Sequence, residues 1–146
     1  MRKDEVFRRL ILLAAAAGLL MRVILYQVVW LLVRQSPQLE QEMLVWIYGM
    51  RIFVSIVLFF AVGFLMRQKR YSRKQLFLAT GKLMGYGLAI LVLEQALGAN
   101  VLTYWLYLPL ELFSWIQLVL NNVLPAAVAV LPSVAAPLLW SLFGKK

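Results

Sequence analysis

Four runs of apolar residues account for most of the chain, and each is long enough to cross a bilayer as a single helix. They occupy residues 10–33, 43–66, 76–97 and 123–143. Crossing the roughly 30 Å of hydrocarbon takes about 20 helical residues, and a helix satisfies its own peptide groups inside lipid. The pattern therefore predicts four membrane-spanning α-helices in a single integral membrane domain, residues 1–146.

A fifth stretch, about 101–120, has the length of a span but a different pattern. Its more polar residues recur every three or four positions, at Asn100, Thr103, Tyr107, Glu111, Ser114, Gln117 and Asn121. This spacing predicts an amphipathic helix that either lies in the membrane interface or spans with its polar stripe turned inward. We favour the interface. The expected fold class is an all-α polytopic transmembrane helical bundle of four spans plus one amphipathic interfacial helix, with five spans as the alternative.

Basic residues flank the apolar runs instead of spreading along the chain. They lie at Arg2, Lys3, Arg8, Arg9, Arg67, Lys69, Arg70, Arg73, Lys74, Lys145 and Lys146. Cytoplasmic segments carry such an excess, which predicts a plasma-membrane protein with its N-terminus, C-terminus and central basic loop in the cytoplasm. With four spans Arg34 alone lies opposite these residues, whereas with five spans Lys145 and Lys146 join it. We also expect the basic loop to attract anionic lipid headgroups.

Composition agrees with a membrane protein and excludes several classes of function. Of 146 residues, 64% are hydrophobic and 14% charged, whereas soluble domains have about 25% charged residues. The net charge of +9 lies at the edges of the apolar runs, so nucleic acid is not an expected partner. The chain has no Cys and no His, which excludes thiolate chemistry and His-ligated metal sites. No enzymatic motif is present, so we expect neither an enzyme nor a cofactor.

Ionisable residues within the apolar runs are the candidate functional residues, because a charge in the bilayer centre costs about 2.5 to 3.5 kcal/mol or more. They are Arg22, Arg51, Glu94 and Glu111. One hypothesis is a polar cavity in which the arginines bind an anionic substrate or lipid headgroup, with Glu94 or Glu111 as a coupled proton site. The other is a set of internal ion pairs that fix helix register, with Arg51 and Glu94 at a shared depth. We favour the second.

Small residues and prolines mark two further features. Gly81 and Gly85 form a GxxxG spacing, which permits close helix approach either within the chain or between two copies. Intramolecular packing is the commoner use, and Gly18 with its neighbouring alanines offers a facing groove. Pro132 and Pro137 lie inside the last apolar run, where each is expected to bend the helix.

These features predict a non-enzymatic membrane subunit or scaffold that assembles with itself or with a larger membrane complex. The alternative is a small transporter or channel with a polar intramembrane site, including a pore-forming variant. The charged residues within the spans favour the alternative, while the absence of motifs favours the subunit.

Overall fold

The computed structural model describes residues 2–35, 40–98 and 100–146, with side chains except at 2–4, 35, 40–43, 126 and 127. Three long helices come first: α1 (Arg2–Gln35), α2 (Glu40–Gln68) and α3 (Arg73–Leu97). Each is long and apolar enough to cross a membrane, over Glu5–Arg34, Leu44–Gln68 and Arg73–Leu97 respectively. The predicted runs 10–33, 43–66 and 76–97 lie within these helices. An all-helical, membrane-embedded fold is therefore supported.

Local sequence accounts for both ends of α3. The Ser72 hydroxyl accepts a hydrogen bond from the Gln75 amide at 3.2 Å, and the Gln75 side chain accepts one from the Ser72 amide at 3.0 Å. This reciprocal cap satisfies two amides that the first helical turn leaves free. At the other end Gly98 has φ 76°, a left-handed conformation that glycine adopts without strain, and its amide donates to the Glu94 carbonyl.

The segment 101–120 differs from the continuous amphipathic helix that we expected. It consists of α4 (Val101–Leu106), a first 3₁₀ helix (Leu108–Phe113) and α5 (Ser114–Leu120). Pro109 lies at the start of the 3₁₀ helix, where its missing amide and its ring oppose continuation of an α-helix. Leu112 and Phe113 are buried, so the middle of this segment packs into the helix bundle.

The last predicted span is also divided. Residues 123–143 contain α6 (Ala126–Ala135), which includes Pro132, followed at once by a second 3₁₀ helix (Ala136–Phe143), whose second residue is Pro137. The α-helix continues through Pro132, and the change of helix type occurs at Ala136, next to Pro137. Neither piece alone has the length of a span.

Aromatic side chains join α2, the first 3₁₀ helix and the second. The Trp140 ring is fully buried and stacks on Phe59, with 5.5 Å between ring centroids, while Phe113 meets Trp140 edge-on at 5.0 Å. The Trp140 indole N–H donates to the Phe59 carbonyl at 3.0 Å. These contacts hold both 3₁₀ helices against the middle of α2.

Three basic segments meet at one end of the bundle. The Arg9 guanidinium donates to the Tyr71 hydroxyl at 3.0 Å, which brings the first turns of α1 to the α2–α3 loop. Lys145 lies against the same loop, because its amide donates to the Tyr71 carbonyl and its carbonyl accepts from the Arg73 amide, both at 3.0 Å. We call this the basic end.

A polar cavity inside the helix bundle

A polar cavity of about 610 Å³ lies between the second half of α3, the 101–120 segment and α6. All four intramembrane ionisable residues named above line it. The full lining is Arg22, Arg51, Leu91, Glu94, Gln95, Tyr104, Tyr107, Leu110, Glu111, Ser114, Gln117, Val130, Ser133 and Val134. Four members of the polar stripe of 101–120 thus face the cavity, as in one of the two arrangements predicted for it, although the helix is broken.

Arg22 projects from the middle of α1 onto the 101–120 segment. One guanidinium nitrogen, Nη2, donates to the Tyr104 carbonyl at 2.7 Å and to Glu111 Oε2 at 2.8 Å. The guanidinium also stacks on the Tyr104 ring, 3.9 Å from the centroid. Only 11% of its side chain is exposed. A buried arginine with a carboxylate, a carbonyl and a ring face as partners is strongly held in place.

Arg51 reaches the same carboxylate from α2. Its Nη2 donates to Glu111 Oε1 at 3.2 Å and to the Ser114 hydroxyl at 2.6 Å. The side chain of Arg51 is 24% exposed, against 13% for Glu111. Glu111 therefore accepts from two helices, one through each carboxylate oxygen. Arg51 pairs with Glu111 and not with Glu94, which corrects the pairing that we expected from depth alone.

The two guanidinium groups keep unused donors. Arg22 Nε, Arg22 Nη1 and Arg51 Nε are buried and have no hydrogen-bond partner among the described residues. A buried donor without an acceptor costs about 1 to 3 kcal/mol, and more when it belongs to a charged group. One carboxylate thus compensates two cations and leaves part of their hydrogen-bonding capacity open.

Glu94 lies apart from this triad, on the α3 wall of the cavity. Its carboxylate interacts electrostatically with Tyr107, at the junction of α4 and the first 3₁₀ helix. Within the described parts of the chain, no three His, Cys, Asp or Glu side chains converge in a way that could hold a metal ion. The donor set is suited to an anionic group, because guanidinium N–H groups match carboxylate and phosphate oxygens.

Some residues that line the cavity were not predicted from the sequence as site residues. Gln95 directly follows Glu94 in the sequence, and this position next to a candidate residue is the feature that could have identified it as a lining residue. Ser133 follows Pro132 within an apolar run, and its hydroxyl donates to the Val130 carbonyl at 2.6 Å. A serine that bonds back to its own helix resembles a structural residue, so only the tertiary arrangement reveals that it lines the cavity.

The glycines divide into those that are packed and those that are open. A Cβ added to Gly18 would overlap the Leu108 carbonyl oxygen, so α1 and the first 3₁₀ helix are in backbone contact there. Gly81 and Gly85 have no described atom within 4 Å of an added Cβ. The intramolecular packing expected for these two glycines is therefore not made by the described residues, and Gly18 serves the 3₁₀ helix instead.

Comparison with known proteins identifies no relative. The sequence matches no family model, and no curated protein or solved structure shows significant similarity to it. Function is therefore argued from the cavity itself.

Proposed function

We propose that this chain is a small multi-pass membrane protein that binds an anionic group in its polar cavity and transports it. The supporting observation is the shared carboxylate. Arg22 and Arg51 both pair with Glu111, and three of their nitrogens lack acceptors among the described residues. A carboxylate or phosphate on a solute supplies both the missing charge and the missing acceptors.

Charge balance favours binding over a purely structural role. A pair that only fixes helix register needs one cation for each carboxylate, whereas this triad has two cations for one carboxylate, and Glu94, the second carboxylate that lines the cavity, forms no ion pair with either arginine. Keeping an extra charge in a low-dielectric site costs several kcal/mol unless it is compensated. An anionic ligand removes that cost. Glu94, which borders the same cavity outside the triad, is the proposed proton site.

The proposed topology has four crossings, with the basic end in the cytoplasm of a plasma-membrane protein. Asn122 lines a small cavity with Tyr48, near the start of α2, and Lys145 lines a groove with Arg67, near its end. Tyr48 and Arg67 are 19 positions apart on α2, a rise of about 28 Å that is close to the hydrocarbon thickness. The last segment therefore runs the length of α2, which supports a fourth crossing made of α6 and the second 3₁₀ helix.

Anion-dependent stabilisation of the purified chain tests the proposal. Phosphate and citrate, compared with chloride at matched ionic strength, are expected to raise the unfolding temperature in mild detergent. A ligand at 100 times its Kd stabilises by about 2.7 kcal/mol. Arg51→Gln should abolish this response, since it removes the more accessible guanidinium. Arg34→Gln is the matched control, because Arg34 is exposed near the end of α1.

Uptake into proteoliposomes distinguishes transport from binding alone. Liposomes containing the chain should accumulate the stabilising anion faster than empty liposomes, and Arg51→Gln should lose this excess. An equal anion response in the parent chain and Arg51→Gln would exclude the cavity as the site. Binding without any uptake would restrict the function to anion recognition.

A membrane subunit or scaffold is the second candidate, and the open glycine face favours it. Gly81 and Gly85 lie one turn apart on α3 with no described atom close to either, so a second helix has room to approach. Gly85→Leu is expected to dissociate an oligomer that light scattering detects in detergent. Gly49→Leu is the control, because Gly49 is equally open but lies on α2. An unchanged mass in Gly85→Leu would exclude assembly through this face.

A further inference from the structure

We propose that the basic end carries a binding site for an anionic phospholipid, separate from the polar cavity. A groove of about 600 Å³ lies between the end of α2, the start of α3 and the second 3₁₀ helix. Its rim is basic and its walls are apolar. The rim suits the phosphate of a phospholipid headgroup, and the walls suit its acyl chains.

The rim consists of four cations. They are Arg67, Arg73, Lys145 and Lys146. No acidic side chain is among the described residues that line the groove, and none of the four forms an ion pair with a described residue. Such a concentration of uncompensated positive charge attracts a phosphodiester, and each cation near the membrane surface adds roughly fivefold to anionic-lipid binding.

The rim has a defined geometry because the tail is tied to α3. Two backbone hydrogen bonds of 3.0 Å join Lys145 to Tyr71 and Arg73. Gly144 lies so close that a Cβ there would come within 2.6 Å of the Arg73 Cα. The cations of α3 and of the tail are therefore held beside one another, which distinguishes this groove from a diffuse basic loop.

The walls present apolar surface to the surroundings of the bundle. Leu139 and Leu142 of the second 3₁₀ helix are 52% and 64% exposed. Phe60 of α2 is also exposed, and its ring lies 6.0 Å from that of Phe143. In a membrane-embedded bundle such a wall contacts lipid chains, because exposed leucine and phenylalanine are favourable there.

The depth of the groove matches a lipid with its head at the rim. Phe60 and Arg67 are seven residues apart on α2, a rise of roughly 10 Å. A headgroup phosphate at the four cations would thus place the first part of its acyl chains along Phe60 and Leu142. A free phosphate uses only the rim, and an acidic peptide leaves the apolar wall without a partner. Both rim and wall are used by an anionic phospholipid.

Native mass spectrometry of the full chain in mild detergent tests this site. Phosphatidylglycerol is expected to bind at least fivefold more tightly than phosphatidylcholine, which has the same chains but no net charge. The double variant Arg67→Gln, Arg73→Gln should weaken phosphatidylglycerol binding about 30-fold, because two cations are lost. The control Lys69→Gln, Lys74→Gln removes the same charge from exposed residues outside the groove and should change binding less than threefold.

Three outcomes would overturn the proposal. Equal affinity of the parent chain for the two lipids would exclude a site for anionic lipid, and this comparison does not depend on the variants folding. Equal losses in both double variants would indicate general surface charge instead of the groove. Glycerol phosphate binding as tightly as phosphatidylglycerol would show that the apolar wall has no role. Since Arg22 and Arg51 lie outside the groove, none of these results bears on the polar cavity.

Discussion

At the scale of single residues, the cavity depends on a few positions where the charge of the side chain, or the absence of a side chain, is required. Glu111 is the acceptor for two arginines, and these come from different helices. Removing one member of a buried charge cluster leaves the others uncompensated, which costs about 3 to 5 kcal/mol. Gly18 is equally restricted, for a steric reason, because the backbone of the first 3₁₀ helix occupies the place of its missing side chain.

Gly18→Ala should destabilise the chain by about 1 to 3 kcal/mol, the usual cost of overpacking. The added methyl meets a backbone carbonyl, which moves less easily than a flexible side chain. Gly49→Ala is the matched control, since it adds the same methyl to a helix with open space around it and gains up to about 1 kcal/mol of helix propensity.

Apparent unfolding temperatures of the two variants in the same detergent would measure this difference. Gly18→Ala should unfold at a lower temperature than the parent chain, and Gly49→Ala should not. Equal stability of the two alanine variants would show that α1 and the first 3₁₀ helix are not in backbone contact.

At the scale of elements, the segments 101–120 and 123–143 each change from α-helix to 3₁₀ helix close to the polar cavity or its walls. The first 3₁₀ helix carries Glu111, and its Leu110 side chain contacts the place where Gly87 of α3 lacks a Cβ. A 3₁₀ helix rises about 2.0 Å per residue and turns more tightly than an α-helix. A polar segment within the membrane-embedded bundle is tolerated where protein surrounds it or where it lines a polar cavity. The 3₁₀ turn at Pro109 and the change of helix type next to Pro137 thus occur close to residues that line the cavity, Leu110 and Val134.

The contacts of the 101–120 segment bring it back to the end of the bundle at which it starts. Its start follows the end of α3, and its 3₁₀ turn reaches Gly18 of α1 and, through Phe113, Phe59 of α2. It ends beside Tyr48, near the start of α2. Both ends of the segment therefore lie at one end of the bundle, and we propose that it enters and leaves the membrane on the same side. This explains why an intermediate hydrophobic pattern fitted both alternatives.

At the scale of the whole molecule, the charges are arranged along the bundle axis. The first turns of α1, the α2–α3 loop and the tail meet at the basic end. The polar cavity opens among residues toward the other end of α3, including Glu94 and Gln95. With the cytoplasmic placement of the basic end that we propose from the positive-inside rule, the proposed anion site lies nearer the outer face.

Thiol labelling with a membrane-impermeant reagent in intact cells should report this topology, because the chain has no native cysteine. Single cysteines at Asn100 and Asn122 are expected to label from outside, since a returning segment begins and ends on one side. Cysteines at Arg70 and Lys146 should label only after the membrane is opened. All four positions are exposed in the fold.

The labelling pattern also separates the alternatives. Asn100 and Asn122 on opposite sides would mean that 101–120 crosses completely. Lys146 labelled from outside would contradict the proposed four crossings, and Arg70 labelled from outside would invert the orientation. Single-cysteine variants that retain the unfolding temperature of the parent chain provide the control for native folding.

The sequence alone predicted the three long helices and the common helical face of the polar residues in 101–120, because both depend on local patterns. A run of about 20 apolar residues has few alternatives to a helix in lipid, and a spacing of three to four places polar residues on one face. Arg22, Arg51, Glu94 and Glu111 could be named for the same reason, since a charge is conspicuous among apolar neighbours.

The tertiary structure decided which of those charges meet and where the helices break. Glu111 pairs with arginines 89 and 60 positions away in the chain, and depth along separate helices did not specify their relative rotation. Gly18 makes the close approach expected of it, but to the first 3₁₀ helix and not to α3, whereas Gly81 and Gly85 have no described atom close to an added Cβ. Local pattern determines what each helix can bury, whereas the packing of several helices determines which residues become neighbours.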